Sequence, residues 1–453
     1  MMYDSRQNRR RFLKTAGVVG TVGLAGCSGN SDDGGTDSSG GTDGSGESGS
    51  DTDSGTTNAG GSGSTSEVIW LHDRANAEET INEMVSEFND QNSGITVEAQ
   101  LTPSGTGTQE ELQKMRAAGT PPDILWFTFG QAYRFAQEGN LAAITGIVED
   151  NGLRTFTDRE DKFFATSIVG PVTWHYRQDI FDEPETYADY LRQARRIDEE
   201  RDITPLQFPN GETTLAESMI QQLLWNGDVT VWEGSGEDID LAMATGQERQ
   251  DAIETFEWIQ NAYEHASNGN GLGWGDAAGA YAEGSAASVP FISMWIPTLY
   301  LAETPDIKEN TYNGFHPAAT DAENDRKFSW FEGNMVWDTE NKDAAREFLD
   351  WFHAEEQQRR FISTNAGDYI PPTEDGMNAD WYRSNDAVHQ EMVDLFASEA
   401  ENFTPPVATG TDGALNYTAV SSGLLFGQAA AQLLHGGKSP GETIDWVQSQ
   451  LDG

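Results

Sequence analysis

Glu67-Val68-Ile69-Trp70-Leu71 opens the stretch of chain that decides the fold. The run is short, apolar and β-prone, which predicts a buried strand. Residues 78–90 follow with Ile81, Met84, Val85 and Phe88 at i, i+3, i+4 and i+7, a spacing that lays one apolar stripe along a helix. Ile95-Thr96-Val97-Glu98-Ala99 predicts a second strand, and 109–118 a helix with Leu112 and Met115 inward. Pro121-Pro122-Asp123 breaks the chain before a third strand, Ile124–Phe127. Strand, helix, strand, helix, strand in that order predicts an α/β lobe with a largely parallel sheet. Ligands of such open sheets bind beyond the carboxyl ends of the strands. Those ends are His72-Asp73-Arg74, Thr102 to Gly107, and Thr128 to Gln131.

Further along, periodicity predicts a helix over 248–263 that buries Ala252, Phe256, Ile259 and Tyr263. A second, over 343–352, buries Ala345, Phe348, Leu349 and Phe352. Ser439-Pro440-Gly441-Glu442 is a capping box with Pro at the first turn, and Ile444, Val447 and Leu451 give the inner face of the last helix. Of 453 residues 36% are hydrophobic, the ordinary share for a globular body. All 13 tryptophans lie after residue 67, so that body can fill a core and keep aromatics for a surface.

Charge is the most unusual total: 75 acidic against 27 basic residues, a net of -48. The acids are spread through amphipathic segments rather than gathered in a tail. Nucleic acid is excluded as a natural partner, because neutralising phosphates takes clustered Lys and Arg. A surface this acidic repels itself in dilute buffer, and at about 1 M salt a Debye length of roughly 3 Å removes most of that repulsion. The composition resembles that of proteins from salt-accumulating halophilic archaea.

Cys27 is the single cysteine, so no intrachain disulfide and no Cys-based metal or haem site is available. Arg9-Arg10-Arg11-Phe12-Leu13-Lys14 resembles a twin-arginine export signal, and the apolar run from Ala16 to Ala25 behind it is far shorter than the roughly 20 residues that span a bilayer. Leu24-Ala25-Gly26-Cys27 resembles a lipobox, in which the thiol receives lipid and becomes the new N-terminus. Residues 1–27 therefore read as a signal peptide to be set aside from the fold. Residues 28–66 are Ser, Gly, Thr, Asp and Asn with almost nothing apolar, which predicts a disordered tether. A coil of that length spans about 34 Å, from roughly 5.5 Å times the square root of residue number.

The chain after the tether resembles a known family. Val68-Ile69-Trp70-Leu71-His72-Asp73, Glu87-Phe88-Asn89, Gly94-Ile95-Thr96-Val97 and Ala118-Gly119-Thr120-Pro121-Pro122-Asp123-Ile124 are similar, in order and spacing, to the extracellular solute-binding proteins of ABC importers, of the sugar-type family 1. Glu138-Gly139-Asn140-Leu141, Trp174-His175-Tyr176-Arg177-Gln178-Asp179-Ile180-Phe181, Glu283-Gly284-Ser285-Ala286-Ala287, Glu332-Gly333-Asn334 and Ala344-Ala345-Arg346-Glu347-Phe348-Leu349-Asp350-Trp351 extend the likeness over nearly all of 67–453. Arg177-Gln178 departs from the pair usual in the family's crossing segment. The resemblance implies a periplasmic-binding-protein-like type II fold, an α/β fold of two interleaved lobes joined by a hinge with the ligand cleft between them. Carried over by segment, the N-terminal lobe is 67–172 plus 328–373 and the C-terminal lobe 173–327 plus 374–453.

It also implies a function: a lipid-anchored monomer that captures a sugar or polyol outside the cytoplasmic membrane and presents it to ABC permease subunits, with no cofactor and no catalysis. Sugar sites want aromatic platforms beside a few placed polar groups. The residues the family places around its cleft are Asp73 and Arg74, Phe127, Phe129 and Gln131, Trp174, Glu217 and Trp225, Trp295, Trp330 and Glu332, and Tyr417. Trp70, Trp258 and Trp351 sit mid-strand or within amphipathic helices, where core is the plainer reading.

Two other classes stay open on sequence alone: a secreted carbohydrate-active hydrolase, and a surface adhesion or sensory module. The same class with a non-sugar solute is a third. Against an enzyme, the seven histidines show no His-Glu-x-x-His pattern, and no Gly-x-Ser-x-Gly elbow occurs. Gly105-Thr106-Gly107 is too thin for a phosphate loop. Carboxylate pairs carry no weight where acids are this abundant.

Overall fold

β1 (Ser66–His72), β2 (Ile95–Leu101) and β3 (Ile124–Thr128) form a parallel group with β1 in the middle. α1 (Glu78–Gln91) and α2 (Thr106–Ala118) make the crossovers, as the periodicity predicts. α1 buries Ile81, Met84, Val85 and Phe88, and β2 turns Ile95 and Val97 inward and Thr96 and Glu98 out, the period-2 pattern of a half-buried strand. In this computed structural model the described residues are 65–103, 106–155, 160–211, 213–235, 238–267, 273–315, 317–320, 322–405 and 424–451. The export signal, Cys27, the tether up to residue 64 and Tyr417 lie outside them, and the tether's last residue, Ser66, opens β1.

α3 (Phe129–Gln137) and the short β4 (Leu141–Ala142) follow, and the chain then enters β5 (Ala165–Arg177), the longest strand at 13 residues. α4 (Tyr187–Glu200), α5 (Thr214–Asn226), the hairpin β6 (Glu233–Ser235) to β7 (Asp238–Asp240), and α6 (Gly246–Tyr263) come next. β8 (Ser288–Ile292) and β9 (Thr311–Gly314) both pair antiparallel with the second half of β5. β10 (Lys327–Trp337) returns antiparallel to both β3 and β5. Later come α7 (Lys342–His353), α8 (Glu355–Ser363), the two-residue β11 (Phe403–Thr404), α9 (Leu425–Leu434) and α10 (Pro440–Leu451), with shorter helices between α8 and β11. The main sheet runs β2-β1-β3-β10-β5-β8.

Two large hydrophobic cores lie along this sheet. The first holds Trp70 against Phe348 and Phe352 of α7, ring centroids 5.4 and 5.1 Å away. The second is built around α5, whose residues 215–226 are all buried. There Trp258 stacks on Tyr187 at 4.3 Å, and its Nε1 donates to the Tyr187 carbonyl at 2.9 Å. A small third cluster gathers Leu215, Ala277, Tyr281, Phe291 and Ile296.

β5 and β10 belong to both large cores. Ile168 and Val169 of β5 pack in the first, and Val172, Trp174 and Tyr176 in the second. In β10, Phe328 packs in the second, and Phe331, Met335 and Val336 in the first. The two strands pair where they cross, with Trp330 opposite Gly170 and Phe331 opposite Val169, and the register shifts between Glu332 and Gly333. At that irregularity a Cβ on residue 333 would lie 2.0 Å from the Ala165 carbonyl oxygen, so only glycine lets the strands approach.

The last helix carries the predicted cap: Ser439 N–H donates to Glu442 Oε2 at 2.9 Å, and Glu442 N–H donates to Ser439 Oγ at 3.4 Å. One boundary differs from the sequence reading. Met377, Tyr382, Met392, Val393, Phe396 and Phe403 pack in the first core, whereas residues from 374 onward were expected to accompany the second.

Candidate functional site

Parallel strands deliver their carboxyl ends to one edge of the sheet, and antiparallel β10 brings Glu332 opposite Thr128 at the end of β3. Asp73 and Arg74 leave β1 at the same edge. Arg74 Nη1 lies 2.6 Å from Glu332 Oε2, and its Nη2 lies 2.7 Å from Asp73 Oδ1. The guanidinium also sits over the Trp126 ring, 5.4 Å from the centroid. All three charged side chains are largely covered, with 16%, 10% and 26% exposure for Arg74, Asp73 and Glu332. Burial works against the charge on Arg74, but Asp73 and Glu332 outweigh it and raise its pKa. Burial also raises the Glu332 carboxyl, with Asp73 adding and Arg74 opposing.

A third carboxylate joins them. Asp368 lies on the turn after α8, where its N–H donates to the Asn365 carbonyl at 2.8 Å and its Oδ2 accepts from Asn365 Nδ2 at 3.0 Å. Burial pushes its carboxyl up to about 7, and the Glu332 charge adds to this. Trp295 Nε1 donates to Asp368 Oδ1. Trp295 reaches this point because Ser293 takes a left-handed turn, φ 50°, directly after β8, with its N–H on the Pro171 carbonyl at 2.8 Å. A non-glycine residue pays backbone strain in that region, and here a buried β5 contact holds it. The half-buried Trp295 ring rests on Phe291 and Trp274 at 6.0 and 6.1 Å.

Trp330 and Glu332 are partly exposed while Phe331 between them is buried, so the two share the open face of β10. Trp330 Nε1 donates to Ser218 Oγ at 3.0 Å. Five residues named from sequence thus gather at one edge: Asp73, Arg74, Glu332, Trp295 and Trp330. The structure places the other described candidates elsewhere or deeper. Trp174 is fully buried in the second core, its ring stacked on Tyr176 and tilted against Tyr190. Trp225 is buried beside Phe328. Phe129 packs on Tyr133 and Phe164, Gln131 is buried in α3, and Phe127 lies half-buried against the first core.

Glu217 is fully buried, and its Oε2 accepts from Gly427 N–H at 2.8 Å in the first turn of α9. That is a helix-terminus anchor for the second core. Asp368 and Trp126 are the members that sequence reasoning missed. Asp368 is one acid among 75, and Trp126 reads as plain strand interior. Among the described residues, no group of three or more His, Cys, Asp or Glu is arranged to hold a metal ion.

A family model described as bacterial extracellular solute-binding protein matches residues 74–359, more than half of the chain. The chain belongs to that family. No curated protein sequence matches this solute-binding protein. Solved structures match its fold at low identity. The GacH receptor of Streptomyces glaucescens, solved free and with acarbose, is 14% identical with a TM-score of 0.68, covering 85% of this chain and 97% of its own. Maltose-bound T. maritima MalE3 is 16% identical with a TM-score of 0.68, covering 86% and 99%. A solute-binding protein of Agrobacterium radiobacter in complex with ribitol is 14% identical with a TM-score of 0.64, covering 86% and 98%. The α/β body of this solute-binding protein has the periplasmic-binding-protein-like type II fold of these relatives. Among its described residues no helix is long and apolar enough to cross a membrane.

Proposed function

We propose that this protein is the substrate-binding component of an ABC importer, and that it captures a carbohydrate or polyol at the edge where Trp295 faces Asp73, Arg74, Glu332 and Asp368. The observation that carries this reading is the hydrogen bond from Trp295 Nε1 to Asp368, because it sets an aromatic ring beside a cluster of carboxylates and one guanidinium. A sugar offers apolar C–H faces to such a ring, O–H donors to carboxylates and oxygen acceptors to Arg74. The relatives solved with acarbose, maltose and ribitol support the same ligand class.

Two lobes, one built on the first core and one on the second, close over the ligand, and the paired crossing of β5 and β10 is the hinge. Closure is the population shift that contacts from both sides produce. No chemistry follows: the closed form is handed to permease subunits as a monomer. Twin-arginine export and lipid on Cys27 hold the protein at the outer face of the cytoplasmic membrane. Changing Cys27 to Ser releases a soluble protein that still binds, and retention at the membrane refutes the anchor. Thermal-shift screening of maltotriose and ribitol in molar salt tests the ligand class, since a ligand stabilises the state it binds. A rise in melting temperature with either sugar or polyol is expected, and none with any member of the panel contradicts the reading.

A further inference from the structure

Asp368 and Trp295 come from different packing units. The turn that carries Asp368 is fixed by Ala366, Tyr369 and Ile370 in the first core, and the Trp295 ring packs against the small cluster around Phe291 and Ile296. Between them the chains touch: a Cβ on Gly367 would lie 2.8 Å from Thr298, so glycine alone admits the approach. Asp368 is held from behind by Asn365 through both backbone and side chain. Its remaining oxygen therefore points at a fixed place, and the indole N–H occupies it. An indole has one donor, and that bond together with the ring's packing on Phe291 and Trp274 fixes the plane.

We infer that Asp368 is a positioning residue that sets the plane of the Trp295 indole across the junction of the two packing units, so that the ring is presented as a ready-made ligand wall. This deepens the carbohydrate reading and rests on it for its binding arm, but the positioning itself does not. The surroundings make the contact sensitive to proton uptake. The charged and titratable groups facing Asp368 are Arg74 from the end of β1, Glu332 from β10, and Tyr369 and Tyr382 from its own side, with Asp73 behind Arg74. Trp295 meets it from the other side as a neutral donor. Asp368, with its carboxyl near 7, exchanges a neutral acceptor for a charged one across that pH, and a charged acceptor makes the stronger hydrogen bond.

The test uses the mature protein in molar salt and follows the Trp295 indole N–H by nitrogen-15 NMR, assigned by its loss in Trp295→Phe. Without ligand, the wild-type signal moves as pH passes through about 7. Asp368→Asn, which keeps an acceptor oxygen but no charge, holds the signal fixed over the same range. Asp368→Ala shifts it at every pH and speeds its exchange with water. A Trp295 signal unmoved by both pH and Asp368→Ala overturns the inference, and it does so whether or not any sugar binds. Calorimetry with maltotriose is the second arm: Asp368→Ala weakens binding about tenfold, the scale of one lost hydrogen bond, while Asp368→Asn stays within about threefold. Unchanged maltotriose affinity in Asp368→Ala also overturns it. If the wild type binds neither maltotriose nor ribitol, the ligand reading fails and the indole signal alone decides the positioning role.

Discussion

Arg74 and Glu332 are separated by 258 positions and meet at 2.6 Å. The contact ties the end of the first strand to β10, which returns between β3 and β5, at the edge where the sheet opens. Arg74 is also the only cation among the three carboxylates of Asp73, Glu332 and Asp368 in the described network.

Replacing Arg74 by Met leaves those carboxylates uncompensated. Removing one partner of a covered ion pair costs more than the pair contributes. With each side chain still partly solvated, the expected loss is about 2 kcal/mol. Adding Glu332→Gln to Arg74→Met restores about half. Denaturant midpoints of the two variants check this, and additive losses refute the coupling.

Trp174 and Trp295 separate stability from binding. Trp174→Ala removes a fully buried ring stacked on Tyr176 and is expected to cost about 3–5 kcal/mol. Trp295→Ala, on a half-buried ring, costs less stability. Equal losses of stability in guanidinium titrations contradict this division.

Gly333→Ala addresses the crossing of β5 and β10. Its Cβ would meet the Ala165 carbonyl oxygen at 2.0 Å and the Ser167 nitrogen at 3.0 Å, both backbone atoms that cannot rotate away. The strands must part, at an expected cost of about 2 kcal/mol or more. A melting temperature equal to wild type rules out the tight crossing.

Buried histidines give the pH dependence. Burial lowers His72 and His175 to about 4 and His353 to about 3. Each is neutral when folded, so the unfolded chain takes up protons first as pH falls below about 6.5. Stability present above pH 6.5 is lost progressively toward pH 4. Asp368 runs the other way, its raised carboxyl favouring the fold at low pH and losing that contribution as pH rises through about 7. Burial also raises Glu332, which runs with Asp368, but it lowers His389 as well, so four histidines outweigh two carboxyls and stability climbs from pH 4.5 to 6.5. His353 has no hydrogen-bond partner on either ring nitrogen. His353→Leu is expected to stabilise by about 1 kcal/mol at pH 7, with a larger gain at pH 4.5. A gain that does not grow in acid refutes the assignment.

Local elements were legible because their signals are local. The five elements from β1 to β3 follow from apolar spacing within windows of a dozen residues; their ends moved by one or two residues, and the start of α2 moved furthest, from 109 to Thr106. Of the candidate site, strand ends and a resemblance pointed to Asp73, Arg74, Trp295, Trp330 and Glu332. Trp174 misled because β5 is buried on both faces, so alternation carries no sign of which side is core. Glu217 misled because its partner, the amide of Gly427, lies 210 residues on. Asp368 stayed hidden because a loop acid in so acidic a chain has no pattern until the fold sets Trp295 before it.

The central claim is that the edge around Trp295 takes a carbohydrate. Calorimetry with maltotriose in molar salt, on wild type and Trp295→Ala, tests it most directly. Binding by the wild type, weakened about tenfold or more in a Trp295→Ala protein that melts as a folded body, is the predicted result; a ring contact of roughly 1.5 kcal/mol sets that scale. Equal affinity in the two proteins places the ligand elsewhere and contradicts the account.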